Sequence, residues 1–230
     1  MRRSGSTVQY QVVAELIERN GLGQRIGFAD QESVSAALQE AQAAKGFAVI
    51  KTHEPLIEFD QPIQRGNVRS FYTFRDLRAV ALSNMQKWQM PFADVIARNG
   101  LLDNVVSSSL KFLSFPGVCV SRYEDIVSSL AGEIGKWGRA LGLPMTIQRA
   151  EELAAEFSLE AQRARVDEIT TLKPGEYDPR SLLHPGHIID GSVDSWKTKL
   201  ERWQIREIED RFSEWLLSRG YELTIDNLHT

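Results

Sequence analysis

Apolar residues return along this chain with two different periods. Over residues 7–19, Val8, Val12, Val13, Leu16 and Ile17 fall on one stripe, which predicts an amphipathic helix ending near Asn20-Gly21. Three short runs lack such a stripe. They are 46–51 (GFAVIK), 67–74 (NVRSFYTF) and 117–121 (GVCVS), and their β-branched and aromatic content predicts buried strands. Between them the helical period returns. Leu77, Val80, Ala81, Asn84 and Trp88 predict a helix over 76–87, and 93–112 reads as mostly helical with a break near Asn99-Gly100. Ile126, Leu130, Ile134, Trp137 and Leu141 mark another helix, stopped by Gly142 with Pro144 beyond it. A more polar helix is predicted over 147–169, and Leu200, Trp203, Ile208, Phe212 and Trp215 define a last one. Segment 173–194 contains KPGEYDP, LHPGH and IIDG and reads as a loop. A loop of roughly twenty residues is long for a compact domain, and such loops are usually functional or disordered.

Strands alternating with helices predict an α/β fold, a single domain over 1–230 with a central parallel sheet flanked by helices. In phosphate-binding α/β domains a buried strand leads into the first loop. Here Met1 stands where that strand should end, so the first strand of the P-loop-like arrangement is expected to be missing.

Composition narrows the setting. The 230 residues are 42% hydrophobic and 25% charged, ordinary globular values. The 27 basic and 31 acidic residues give a net charge of −4, which argues against a nucleic-acid binder but leaves room for a local basic pocket. No uncharged apolar run approaches the roughly 18 residues of a membrane span, and no apolar segment of a signal peptide follows Arg2-Arg3. One cysteine, Cys119, excludes an intrachain disulfide and a four-cysteine zinc site; on a buried strand it reads as inert core. A cytoplasmic location without membrane attachment is expected.

Three stretches carry candidate chemistry. Arg2-Arg3-Ser4-Gly5-Ser6-Thr7 leads into the first helix, where small residues let backbone N–H groups converge on an anion and the helix N-terminus adds partial positive charge. The stretch lacks the Gly-Lys-Ser/Thr of nucleotide triphosphatases, and its bland alternative is a simple helix cap. Lys51-Thr52-His53-Glu54-Pro55 follows a strand's carboxyl end, where ligands of parallel sheets bind; His53 can serve as a general base and Lys51 can meet developing negative charge, against the alternative of a surface turn. Arg75 ends another strand, and Ser83 lies about two helical turns on, so both can reach one phosphate if the helix folds back. His184, His187 and Asp190 are spaced by three, but Pro185 and Gly186 prevent a helix that would align them on a metal. His187 is instead a candidate for a cationic role in a nucleotide loop. The acidic stretch 207–210 reads as a solvated face, and Trp203 and Trp215 as packing the last helix on the core.

In order along nearly the whole chain, these pieces resemble the PAPS-dependent sulfotransferases, where PAPS is 3′-phosphoadenosine 5′-phosphosulfate. Arg3-Ser4-Gly5-Ser6-Thr7 matches the body of the family's P-[KR]-[ST]-G-[ST]-[ST] loop, and Lys51-Thr52-His53-Glu54-Pro55 its K-T-H-x-P. The run from Tyr72 through Arg75 to Ser83 matches Y-x-x-R-[DN]-x-[RK]-D-V-A-x-S, with Ala79 for Asp. Tyr123-Glu124-Asp125 matches a strand end in Y-E-D, and Gly191 to Lys197 matches G-x-x-x-x-W-[KR]. The resemblance implies sulfuryl transfer from PAPS, as co-substrate and without a metal, to a hydroxyl or amine of a small-molecule or carbohydrate acceptor. It implies that Ser4, Gly5, Ser6 and Thr7 hold the 5′-phosphosulfate, with Arg3 at the position usually held by lysine. It further implies that Arg75 and Ser83 bind the 3′-phosphate, that Tyr123 lies near the adenine, that Gly191 belongs to the nucleotide loop, and that His53 takes the acceptor's proton with help from Lys51. The chain departs from the pattern at Val8, where cytosolic members have tryptophan, and at Ile189-Asp190-Gly191, where they have R-K-G. These departures raise the alternative of a catalytically degenerate binding protein.

Overall fold

The first apolar stripe forms helix α1 (Ser6–Arg19), which buries Val12, Val13, Leu16 and Ile17. The computed structural model describes residues 1–169, 171–173 and 176–224. After α1 come strand β1 (Gly23–Phe28) and helix α2 (Val34–Ala43), neither of which the hydrophobic pattern announces. Strand β2 (Phe47–Lys51), short helix α3 (Asp60–Gln64), strand β3 (Phe71–Phe74) and helix α4 (Leu77–Trp88) follow. The break at Asn99-Gly100 separates α5 (Phe92–Ile96) from α6 (Leu101–Leu113), and β4 spans Cys119–Arg122.

Two predicted helices are each divided. Ser129 leaves helical geometry (φ −149°, ψ 65°) between α7 (Tyr123–Ser128) and α8 (Leu130–Ala140). Between α9 (Ile147–Glu156) and α10 (Leu159–Glu168), the Ser158 hydroxyl accepts from the Ala161 N–H at 3.2 Å and starts a new helix. The described part of the predicted loop carries no strand or helix before α11 (Trp196–Lys199); Pro174 and Gly175 lie outside the described residues. Helix α12 (Arg202–Ser218) opens on a capping box between Glu201 and Gln204. Among the described residues no helix is long and apolar enough to cross a membrane.

The strands pair in parallel, as expected, but as two separate pairs, β1 with β2 and β3 with β4, instead of one central sheet. No strand lies ahead of α1 among the described residues, so no ladder joins the pairs. Helix α1 packs on both β2 and β3. The loop before it is tied to both: the Met1 amine donates to the Thr73 carbonyl at 3.0 Å, and Lys51 Nζ donates to Thr7 Oγ1 at 2.6 Å. Side chains alternate along the β3–β4 pair. Tyr72, Phe74, Val118 and Val120 face a core with α4, α5, α6 and α12, while Phe71 and Cys119 face a second core with α1, α8 and α9. Cys119 is half-buried, and burial pushes its thiol up.

The expectation of a solvated acidic face fails at Glu209, which is fully buried. It lies on the inward face of α12 with Ile205, Ile208 and Phe212, and it receives the Arg78 guanidinium and the Thr224 hydroxyl. Arg78 also donates to both oxygens of Asp76 and stacks 3.9 Å from the Trp196 ring. This buried ion cluster clamps the start of α4 to α12. Trp215 is in the core, whereas Trp203 is largely exposed on the outward side of α12 and meets Phe92 edge-to-face at 5.1 Å. Removing one partner of a buried ion pair leaves an uncompensated charge, so Glu209→Ala is expected to cost about 3–5 kcal/mol in a urea melt. Glu207→Ala, on the exposed face of the same helix, is expected to stay within about 0.5 kcal/mol.

Candidate active site

The carboxyl ends of β2 and β3 and the start of α1 open on one cavity of about 920 Å3. Its first wall is the turn before α1. Arg3 and Gly5 both adopt positive φ (60° and 81°), a conformation open to glycine and costly for arginine. A Cβ on Gly5 would crowd the Tyr123 ring and Ile126 at 3.3 Å, so glycine here answers both conformation and close approach. The Ser4 side chain is fully buried; its hydroxyl bonds the Met1 carbonyl at 2.6 Å and Thr73 Oγ1 at 2.6 Å. That hydroxyl therefore works as scaffold, fastening the turn to β3. Ser6 and Thr7 begin the helix and face the cavity.

Strand β2 delivers Lys51 and His53. Lys51 is buried with Thr7 as its side-chain partner, and burial lowers its ammonium to about 7. His53 packs its ring 5.2 Å from Phe28, which in turn meets Tyr177 edge-on at 6.4 Å. Burial, then the charges of Lys51 and Arg2, hold the His53 imidazole down to about 2. It is therefore a neutral imidazole, the form able to accept a proton.

Strand β3 delivers Arg75, and α4 delivers Ser83. Arg75 lies flat over Tyr123, 4.1 Å from the ring centroid, and donates to the carbonyls of Arg3 (3.2 Å) and Ser192 (2.5 Å). Its Nε is buried with no partner. Arg3 Nε donates to Ser83 Oγ at 2.9 Å, which confirms that α4 folds back to the loop, and Arg3 Nη1 donates to the His187 carbonyl at 2.9 Å. Tyr123 donates its hydroxyl to the Gly191 carbonyl at 2.8 Å. Gly191 has φ 64°, and a Cβ there would meet Leu159 at 2.7 Å.

All eleven residues singled out in the sequence thus border one cavity: Arg3 with Ser4 to Thr7, Lys51, His53, Arg75, Ser83, Tyr123 and Gly191. Asp190 also borders the cavity and its charge reaches Arg3, but its carboxylate is engaged by Lys199 at 2.9 Å and by the Ser192 N–H at 3.0 Å. Sequence reasoning missed Lys87, which lines the cavity and donates to the Gly186 carbonyl at 2.7 Å. It lies four residues after Ser83 on the same helix face, a spacing that could have revealed it. Reasoning also missed Phe28, because GQRIGF shows neither alternation nor a continuous apolar run. Of the expected cationic role for His187, the structure offers the carbonyl on Arg3; the ring lies among His184, Lys51, Arg3 and Lys87, and burial followed by these groups lowers it to about 3.

The decisive feature is charge without a counter-charge. Among the described residues, Arg3, Lys51, Arg75 and Lys87 form no salt bridge, although Lys51 and Arg75 are buried and Arg3 is half-buried. A profile of the sulfotransferase domain matches residues 2–219. The chain belongs to the sulfotransferase family. No curated protein sequence matches it. Among solved structures, mouse sulfotransferase SULT7A1 complexed with PAP is similar at 16% identity, over 91% of this chain and 81% of that one, with a TM-score of 0.64. Retinol dehydratase in complex with androsterone and inactive cofactor PAP is similar at 18% identity, over 99% of this chain and 81% of that one, with a TM-score of 0.61. These likenesses establish the α/β fold of this sulfotransferase.

The two neutral imidazoles give its stability a pH signature. Their folded values of about 2 and about 3 lie below the ordinary 6.5, so between pH 6.5 and 3 the unfolded chain binds protons that the native chain refuses. Stability is therefore fully present above pH 6.5 and falls as pH drops through that window. Urea melts at pH 7.5, 6 and 5 should show a shallower decline for His53→Asn than for wild type; an equal decline would contradict a lowered His53 imidazole in the native state.

Proposed function

We propose that this sulfotransferase transfers the sulfuryl group of PAPS to a hydroxyl of an apolar small-molecule acceptor, in a reducing, cytoplasmic setting suited to a chain with one cysteine. The reading rests on the buried Lys51 and Arg75 and the half-buried Arg3, which form no salt bridge among the described residues and surround a glycine turn at a helix N-terminus. A buried unpaired cation is costly, and an anion with two charged ends removes that cost for all three. The unpartnered Arg75 Nε is a donor left for such a ligand.

In this reading PAPS supplies an activated sulfur already joined to a good leaving group. Arg75 and Ser83 would hold its 3′-phosphate, while Gly5, Ser6, Thr7 and Lys51 would hold the 5′ end. Arg3 would stabilise the charge that grows on the bridging oxygen. His53, neutral and facing the cavity, would take the acceptor proton. The apolar wall of Phe28 and Tyr177 beside it suits an acceptor with an apolar body. Asp190 sits against Lys199, which offsets part of its charge towards a phosphate. No observation favours loss of catalysis.

Steady-state assays with PAPS test these roles separately. Arg75→Met removes a charged, forked donor and is expected to lower kcat/KM for PAPS by roughly 100-fold. His53→Ala is expected to lower kcat by roughly 100-fold or more with little change in PAP affinity. Wild-type turnover in His53→Ala would contradict the assigned base, and absence of PAP binding by the wild-type protein would contradict the reading as a whole.

A further inference from the structure

His187 stands out among the groups the reading above leaves unused. It lies in the turn 184–187, closed by its own N–H on the His184 carbonyl at 3.0 Å. The turn is pinned from below by Lys87 on the Gly186 carbonyl and by Arg3 on the His187 carbonyl. The His187 ring meets His184 edge-on at 4.6 Å and borders the same cavity as His53. Each of the two imidazoles, His53 and His187, has its Nδ1 sealed from solvent without a partner. Neither Nε2 is sealed in that way, and neither carries a hydrogen bond among the described residues. Each ring therefore has one nitrogen, Nε2, free for a ligand.

A hydroxyl has one proton to give and lone pairs to receive, and a neutral imidazole offers either a lone pair or an N–H at Nε2, according to its tautomer. Two such rings on one cavity complement a single hydroxyl. We propose that His187 is a second catalytic imidazole, which donates its Nε2–H to the acceptor oxygen while His53 Nε2 receives that oxygen's proton. This rests on the sulfuryl-transfer reading above. In the step, the acceptor oxygen forms a bond to sulfur, and the bond from sulfur to the bridging oxygen of the donor breaks. PAP leaves with that electron pair, and the hydroxyl proton ends on His53. The His187 hydrogen bond fixes which lone pair of the acceptor points at sulfur, a gain in orientation. The surroundings suit a neutral donor. His184, Lys51, Arg3 and Lys87 face the ring from the loop, β2, the turn before α1 and α4, and their charges discourage a proton on it. Its conjectured role as a cation for the nucleotide is thereby replaced.

The test compares His187→Phe, which keeps a ring without nitrogen, with His187→Gln, whose amide can restore a donor. Two rates are read: transfer from PAPS to 4-nitrophenol, and the slow hydrolysis of PAPS in which water takes the acceptor's place. PAP affinity is measured by calorimetry on the same proteins. The proposal expects His187→Phe to lose roughly 10- to 100-fold in both rates at saturating PAPS, PAP affinity to stay within about twofold, and His187→Gln to recover most of the loss. Unchanged rates in His187→Phe overturn it. So does a tenfold loss of PAP affinity with unchanged saturated rates, which would return His187 to the nucleotide. An equal loss in both variants also overturns it, since a ring needed only for packing is not rescued by an amide. If wild-type protein binds no PAP, the sulfuryl-transfer reading fails first and visibly.

Discussion

Uncompensated positive charge is the constraint around which this molecule is arranged. Arg3 and Arg75 hold each other's surroundings in place, the second donating to the carbonyl of the first, yet burial and the charge of Arg75 both bear against the Arg3 guanidinium. The main-chain carbonyls of His187 and Ser192 offset part of that penalty. Carbonyl dipoles are a partial substitute for a full counter-charge, and Arg75 Nε still has no partner. An anionic ligand would complete what the loop only begins, which gives this pocket a reason for its otherwise unfavourable electrostatics.

The fold serves that arrangement by bringing distant segments to one corner. The two strand pairs share no ladder, so the turn at residues 1–7 and α1 hold β2 and β3 in register with the cavity. Ser4 is the pin of this joint, bonded to Thr73, while Tyr123 supports the turn from beneath and carries Arg75 on its face. On the far side, the cluster of Arg78, Asp76, Glu209 and Trp196 links the start of α4 to α12 and to the segment that follows Gly191. A change far from the cavity can thus reach Arg75 through its neighbour Asp76.

Much of this was legible because the chemistry falls where periodicity changes. The motifs around Ser4, Lys51 and Arg75 lie at junctions between runs of different period, so their elements and their neighbourhood could be read together. Strand β1 was not legible: Arg25 and two glycines interrupt it, and its pairing with β2 shifts register between Arg25 and Gly27. Glu209 was misread for a related reason. Local sequence shows an acid among charges, whereas its burial is decided by Arg78, which is 131 residues away. The contact by which the Ser4 hydroxyl fastens the turn to β3 is set by Thr73 and is invisible along the chain. The divisions at Ser129 and Ser158 are backbone choices that an apolar stripe does not report.

Because buried cations without a counter-charge weaken the native state, a fitting anion must strengthen it, and thermal unfolding of the wild-type protein reads this directly. PAP, with phosphates at both ends, should raise the melting temperature by about 5–10 °C at a hundredfold excess over its Kd, from about 2.7 kcal/mol of linkage. Adenosine, which has the same base and sugar without charge, should leave it unchanged. An equal rise with adenosine, or none with PAP, would contradict the account.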